Sequence, residues 1–366
     1  MKEATGMNGT ERKEAGRKIL TLFAVVLLLD IVLAAAGLWD RFWLYAILIN
    51  LISIGVISQW GTAFIAGGNL HRYERFLSIG FPLVMLFAWE MLVRVGILNP
   101  MWFPPPTEVM KALWELSTEY DKFNETSLLG RPWLIPEMYR EFGWEGIKIL
   151  VGESHLIATL TRIFLGFVFG SIPGLIIGVA MGMSRTIRAM LDPVISAMYV
   201  VPKITILPLM MLIFSPFGET YKIVTVAISV FFVVLINSMV GVREVEPILI
   251  EAGRNYGAKG VQLFKHVIVP GAMPVIFGGL RLALGTALIV IVAIEFVRAK
   301  SGVGYITWYY WEILKPPKMY AGLIVIMILG IILTYGLQWT EKLVIPWRKR
   351  RDEAKEQRMK TRTVKP

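Results

Sequence analysis

The chain has 366 residues; 55% are hydrophobic, only 18% are charged, and the mean hydropathy is +0.61, whereas a soluble chain carries about 45–50% apolar and about 25% charged residues. There is no cysteine, which excludes disulfides, thiolate nucleophiles and cysteine-ligated metals, and the three histidines His71, His155 and His266 have no metal-ligand spacing. The net charge of +11 is distributed as in a membrane protein rather than a nucleic-acid-binding one.

A helix needs about 20 apolar residues to cross roughly 30 Å of hydrocarbon, and lipid offers no partners to the unpaired backbone of any open alternative. Eight such runs occur: Ile19–Trp39, Phe42–Gly67, Phe76–Leu98, Leu156–Met181, Leu191–Phe214, Tyr221–Val240, Val275–Val297 and Met319–Trp339. The expected fold class is an all-α membrane protein of about eight transmembrane helices. The first run is too long for a signal-peptide core and lacks a small-x-small cleavage site, so it reads as a retained span. It forms an N-terminal two-helix hairpin with the second, set apart from a six-helix core by the polar linker His71–Arg75. The expected organisation is a cytoplasmic N-terminus 1–18, hairpin and linker 19–75, core 76–345 and a basic tail 346–366. The core holds an outer loop 99–155 and a cytoplasmic loop 241–274.

With both ends in the cytoplasm, the inside segments carry 23 Lys and Arg in 92 residues and the outside segments 10 in 87. The positive-inside rule thus favours that orientation. The stretch Lys342–Pro366, with ten basic residues against three acidic, suits anionic membrane lipid; nothing in it points to nucleic acid.

Along the chain, Asp30 lies mid-span in the hairpin. Glu90 and Arg94 sit four apart in the third span, the better order for a helical ion pair. The outer loop opens with Pro104-Pro105-Pro106-Thr107, and Val109, Leu113 and Leu116 then recur at helical spacing. That spacing predicts an amphipathic helix at the outer interface. Trp133, Tyr139 and Trp144 mark the rest of the loop as ordered. In the fourth span Gly166, Gly170, Gly174, Gly178 and Gly182 form a stripe on one face, beside Pro173; such stripes let backbones approach closely. The fifth span holds Pro193, Pro202 and Pro208 with Lys203. Broken helices are tolerated where they face protein or a watery cavity, so Pro202, Lys203 and Pro208 are pathway candidates. Arg162 and Arg281 are placed near span ends, where snorkelling is usual, and Glu295 at the outer boundary.

The loop after the sixth span reads Glu251-Ala252-Gly253-Arg254-Asn255-Tyr256-Gly257 and continues to Val267-Ile268-Val269-Pro270. Pro247 can open a short helix, Gly257 can end it in left-handed geometry, and a second short helix is expected over Val261–Val267. Two angled helices with an apolar and a charged surface suit docking to a cytoplasmic partner. This segment resembles the signature loop of importer permeases of the ATP-binding-cassette class: Glu-Ala-Ala, three residues, Gly, nine residues, Ile, one residue, Leu-Pro. Glu251, Ala252, Gly257 and Pro270 match at that spacing; Gly253 replaces the second Ala, Val267 the Ile and Val269 the Leu. Resemblance extends over roughly 76–345. Phe103 to Val109, Val201 to Pro208 and Ser301-Gly302-Val303-Gly304-Tyr305 look like the nitrate/sulfonate/taurine/bicarbonate branch, to which thiamine-precursor pyrimidine permeases are also similar. The hairpin 19–67 and an insertion near 117–150 depart from the pattern.

The resemblance implies a pathway for a small, anionic solute and a coupling helix (Glu251, Ala252, Gly253, Gly257, Pro270) seated on a separate ATPase that binds ATP and Mg. It also implies a second permease copy, as a homodimer, an external solute-binding protein, and a multi-pass place in the inner membrane. No cofactor and no catalytic site are expected in this chain, and no Gly-x-x-x-x-Gly-Lys-Ser/Thr loop occurs. The alternative is a secondary carrier driven by protons or sodium through Asp30, Glu90 or Glu295. Such carriers show paired broken helices, and the fifth span has no counterpart.

Overall fold

A computed structural model of the chain describes residues 9–35, a few positions between 45 and 56, and 70–346 apart from 122–124 and 217. The second expected span, Phe42–Gly67, and the tail beyond 346 fall largely outside these residues. The chain divides into two units, 1–108 and 109–366.

In the first unit, α1 (Gly9–Ala35) covers most of the first expected span, and Asn50 donates to both carboxylate oxygens of Asp30 at 3.0 and 3.3 Å. Helix α2 (Leu70–Arg94) holds the Glu90–Arg94 pair at 2.6 Å. Glu90 also accepts from the backbone N–H of Thr107 (3.0 Å) and its hydroxyl (2.8 Å). The threonine that closes the triple-proline run is therefore the group that ties the run to the span.

The second unit opens with α3 (Pro106–Thr118), which crosses the division between units, then a short hairpin of β1 (Tyr120–Asp121) and β2 (Thr126–Ser127), α4 (Ile135–Phe142) and α5 (Trp144–Glu153). Sequence periodicity places the apolar face of α3 at the lipid interface. In the structure Ala112 and Leu116 instead pack on Val303, Ile306, Tyr310, Ala321 and Val325, because protein neighbours are within reach of that face. The remaining helices follow: α6 (His155–Met183), α7 (Arg185–Val200), α8 (Leu207–Phe214), α9 (Thr220–Arg243), the short α10 (Pro247–Asn255), α11 (Val269–Arg298), α12 (Val303–Glu312) and α13 (Pro316–Val344). Ser154 and Ser184 cap α6 and α7, accepting from the N–H of Ile157 and Ile187 at 3.2 and 3.3 Å.

Among the described residues five helices are long and apolar enough to cross a membrane, or six if a bent pair counts as one. The count of eight is thus not reached among them. The fifth expected span is that bent pair: α7 and the segment Lys203–Phe214 meet at 92°. The break follows from Pro202, which removes an N–H and pushes Val201 to extended backbone (φ −62, ψ 125).

At α9 the 3.6-residue repeat buries Tyr221, Val226, Val230 and Val234 against Ile163 of α6 and Ala283, Ala287, Ile291 and Ile294 of α11. The glycine stripe of α6 runs along α9. A Cβ built at Gly174 would lie 2.8 Å from the carbonyl of Phe231, and one at Gly182 2.6 Å from the Cβ of Val242. Only a side chain of one hydrogen fits, which brings the two backbones together where no hydrophobic effect drives association.

Candidate functional site

Three arrangements in the second unit concentrate chemistry. The first is the hook that joins α9 to α11. Helix α10 starts on Pro247 and ends with Gly257 at φ +85. The N–H of Gly257 donates to Arg254 (2.9 Å) and that of Ala258 to Gly253 (3.0 Å), the paired bonds of a Schellman stop. Gly260, at φ +47, turns the chain into Val261. A Cβ on Gly253 would lie 2.9 Å from Val267 and 3.0 Å from Leu263, so the bare glycine lets α10 rest on the entry to α11.

That entry differs from expectation. Val261–Val267 is no separate helix but runs into the span as one helix, Val261–Val297. Pro270 cannot donate to residue 266, and a π turn over Phe264–Ile268, closed by Val269 N–H to the Phe264 carbonyl, widens the helix just before it. Glu251, Ala252 and Gly257 are exposed and Pro270 is half-buried. On the same hook Tyr256 is 94% exposed, Val261 78% and Ile248 68%. Glu251, Arg254, Lys259 and Lys265 stand among them.

The second arrangement is the bend. Lys203 donates to the carbonyls of Met198 (2.8 Å), Tyr199 (3.0 Å) and Val201 (2.9 Å), and its ammonium lies 4.7 Å from the Phe232 ring centre. Pro202 ends α7 and leaves those last carbonyls without helical donors; the lysine supplies all three. Pro208 starts α8 at a position where its missing N–H costs nothing. Lys203→Met is expected to destabilise the protein by about 1–3 kcal/mol, read as a lower denaturation temperature in detergent, with Lys203→Arg closer to the parent.

The third is a buried ion network. Arg162 and Glu295, placed near span ends by the sequence reading, are 2% and 0% exposed. Arg162 donates to Glu295 (2.7 Å), to the Ser301 carbonyl (2.6 Å) and hydroxyl (2.9 Å), and to both oxygens of Glu219. Lys222 joins Glu219 at 2.7 Å. Glu295 also accepts from Thr159 (2.9 Å) and the N–H of Gly304 (2.9 Å). His155 accepts from Gly302 N–H at 3.0 Å, and Thr159 from Val303 N–H at 2.8 Å. Arg162, Lys222 and Glu295 are buried, and Glu219, whose side chain is 54% exposed, brings the count to two cations and two carboxylates, so the buried charges are balanced. Burial pushes the Glu219 carboxyl upward, but hydrogen bonds from Arg162 and Lys222 outweigh it and hold the group below its ordinary value.

This network explains the stretch Ser301 to Tyr305. Its Ser301 carbonyl and the N–H groups of Gly302, Val303 and Gly304 are each bound by a side chain of α6 or α11. Gly302 sits at φ +125, and a Cβ there would fall on the Glu295 carboxylate; one at Gly304 would lie 2.8 Å from the Glu295 Cβ. Thr159, Glu219 and Lys222 were not singled out from sequence. Their signal was present: His155, Thr159 and Arg162 stand four and three residues apart, on one face of a span.

The family of binding-protein-dependent transport system inner membrane components matches residues 156–345. The taurine transport system permease protein TauC of Escherichia coli strain K12 is 32% identical over 271 residues, covering 74% of this chain and 89% of that one. The putative aliphatic sulfonates transport permease SsuC of Bacillus subtilis strain 168 is 29% identical, covering 76% and 89%. The nitrate import permease NrtB of Synechococcus elongatus is 23% identical, covering 72% and 87%. The hook, the bend and, apart from His155, the buried network lie within the matched residues. The chain belongs to the binding-protein-dependent inner membrane component family and is a membrane-spanning permease subunit of an ATP-binding-cassette importer.

Proposed function

We propose that the hook 247–268 is the element through which a separate cytoplasmic ATPase, binding ATP and Mg, drives this permease. The observation that carries the reading is the exposed apolar surface of Ile248, Tyr256 and Val261 on a hook held in shape by the Gly257 stop and by the π turn into α11. Such a surface on a segment too polar for lipid is suited to a protein partner, and a hook continuous with a span transmits a push directly.

In this reading Glu251, Ala252, Gly253, Gly257 and Pro270 form the coupling site. The broken span at Pro202, Lys203 and Pro208 lines the pathway, and Gly166, Gly170, Gly174 and Gly178 set the packing against α9. The core is 76–345, the hook and both termini face the cytoplasm, and the tail 346–366 lies on anionic lipid. Two permease copies pair, and an external solute-binding protein delivers a small solute with an anionic group, the class named by the taurine, sulfonate and nitrate relatives.

The test is co-purification with the ATPase. Gly257→Pro fixes φ near −65° where +85° is required, and Tyr256→Asp puts a charge on the exposed contact without disturbing the fold. Both are expected to lose the ATPase from the purified complex. Full retention of the ATPase by both variants overturns the reading.

A further inference from the structure

Helices α4 and α5 lie ahead of the residues that the family matches, and they carry an exposed apolar face. In α4, Ile135, Tyr139 and Phe142 recur four and three residues apart and share one side, while Glu137, Arg140 and Glu141 occupy the other. Ile135 is 41% exposed, Tyr139 49% and Phe142 56%.

The corner between the two helices extends that face. Gly143 turns the chain at φ +58, and a Cβ on Gly146 would fall on the Met138 carbonyl, so a bare backbone lets α5 fold back on α4. Trp144, the first residue of α5 and itself exposed, then meets Tyr139 edge-on with ring centres 5.7 Å apart. The aromatic residues of both helices thus form one patch. Its base is held, because Arg131 pairs with the buried Glu153 at 2.7 Å and Leu150 is buried.

The depth of the corner follows from α6. Gly166 lies against Val226 and Gly182 against Val242, so α6 runs parallel to α9 and starts at the end of the bundle away from the hook. Its 29 residues make about 43 Å at 1.5 Å per residue. That exceeds the roughly 30 Å of hydrocarbon and matches the 40–45 Å of a bilayer with its headgroups. The start of α6 therefore stands at headgroup level, and α5 joins it through Ser154 alone.

Composition selects what covers the patch. Tyr and Trp concentrate at headgroup depth, where an amphipathic ring meets both apolar and wet surroundings. A helix with one apolar and one charged side lies in that plane, its apolar side about 5–10 Å into the boundary. The charged side of α4 has two acids and one base, so attraction to anionic lipid is not what holds it, and the apolar side supplies the contact.

We propose that the α4–α5 corner is a membrane anchor. Ile135, Tyr139, Phe142 and Trp144 enter the lipid leaflet at the end of the bundle away from the hook, and Glu137, Arg140 and Glu141 face water. The interfacial role that sequence periodicity gives to α3, whose apolar face is taken by protein, falls to α4. The anchor sets the depth of the start of α6, which carries His155, Thr159 and Arg162 of the buried network.

Because the chain has no cysteine, a single introduced cysteine carries a nitroxide label without background. The full-length chain in phosphatidylcholine nanodiscs is labelled through Ile135→Cys or Phe142→Cys on the apolar side and through Glu137→Cys or Glu141→Cys on the charged side. Collision with molecular oxygen, which concentrates in lipid, is compared with collision with a water-soluble nickel chelate. The labels at positions 135 and 142 are expected to favour oxygen and those at 137 and 141 the chelate, each variant keeping the denaturation temperature of the unlabelled chain. Preference for the chelate at 135 or 142 in a variant that keeps that temperature overturns the proposal, as does equal access on the two sides. Shielding of positions 135 and 142 from the chelate only after a solute-binding protein is added also overturns it, and assigns the face to protein docking.

Discussion

Replacing Arg162 with methionine is expected to destabilise the second unit by about 3–5 kcal/mol, the cost of leaving a buried charge without its partner. The side chain is the hub of the network, bound to Glu219, Glu295 and Ser301. Without it Glu295 remains fully buried with only Thr159 and the Gly304 N–H, and the Ser301 carbonyl loses its donor. Glu219 keeps Lys222, so the damage centres on Glu295. Removing both ends of the buried pair, as Arg162→Met with Glu295→Met, should cost much less than the sum of the single changes, because no uncompensated charge is left. Denaturation of the four variants of this cycle in detergent checks it. Strictly additive losses would mean that Arg162 and Glu295 do not act as a pair.

The second large effect is expected on the glycine stripe. A Cβ at Gly170 would come within 2.8 Å of the Val230 Cβ and also strike the Ala227 carbonyl; one at Gly178 would meet the Ser238 Cβ at 2.8 Å and the Leu235 carbonyl. The obstacles are largely backbone, which cannot swing aside as a flexible side-chain end can. Gly170→Val and Gly178→Val must therefore push α6 from α9, at about 3 kcal/mol or more, the upper end of ordinary overpacking. The expected readout is failure to recover folded protein, or a much lower denaturation temperature. Gly336→Ala is the contrast: nothing lies within 4 Å of its Cβ, and alanine gains up to about 1 kcal/mol in a helix. Similar behaviour of all three would contradict the close packing of α6 on α9.

The long spans were legible because hydropathy and a 20-residue length are strong signals that lipid enforces. The hook was legible because Pro247 and Gly257 carry fixed backbone consequences, and the structure places both where those consequences fall. The continuity of Val261 with α11 was not, since Pro270 reads as a break and only the π turn shows how a helix absorbs it. Lys203 in the bend reads from sequence only as a pathway candidate; which carbonyls lack donors depends on the 92° angle, and no pattern of residue types gives that angle. The network was hidden for a similar reason. Arg162 and Glu295 are 133 residues apart, and a charge near a span end looks the same whether it snorkels or turns inward. The glycines of Ser301 to Tyr305 were the available clue, because a bare backbone marks a place where another group must enter.

In the proposed mechanism an ATPase drives motion of this chain through the hook. This is tested most directly by solute uptake into proteoliposomes holding this chain with its ATPase subunit, supplied by the solute-binding protein. Uptake is expected to require ATP hydrolysis and to be lost with Tyr256→Asp, while the denaturation temperature of that variant stays unchanged. Uptake by this chain alone, driven by a proton gradient and indifferent to Tyr256→Asp, would contradict the account.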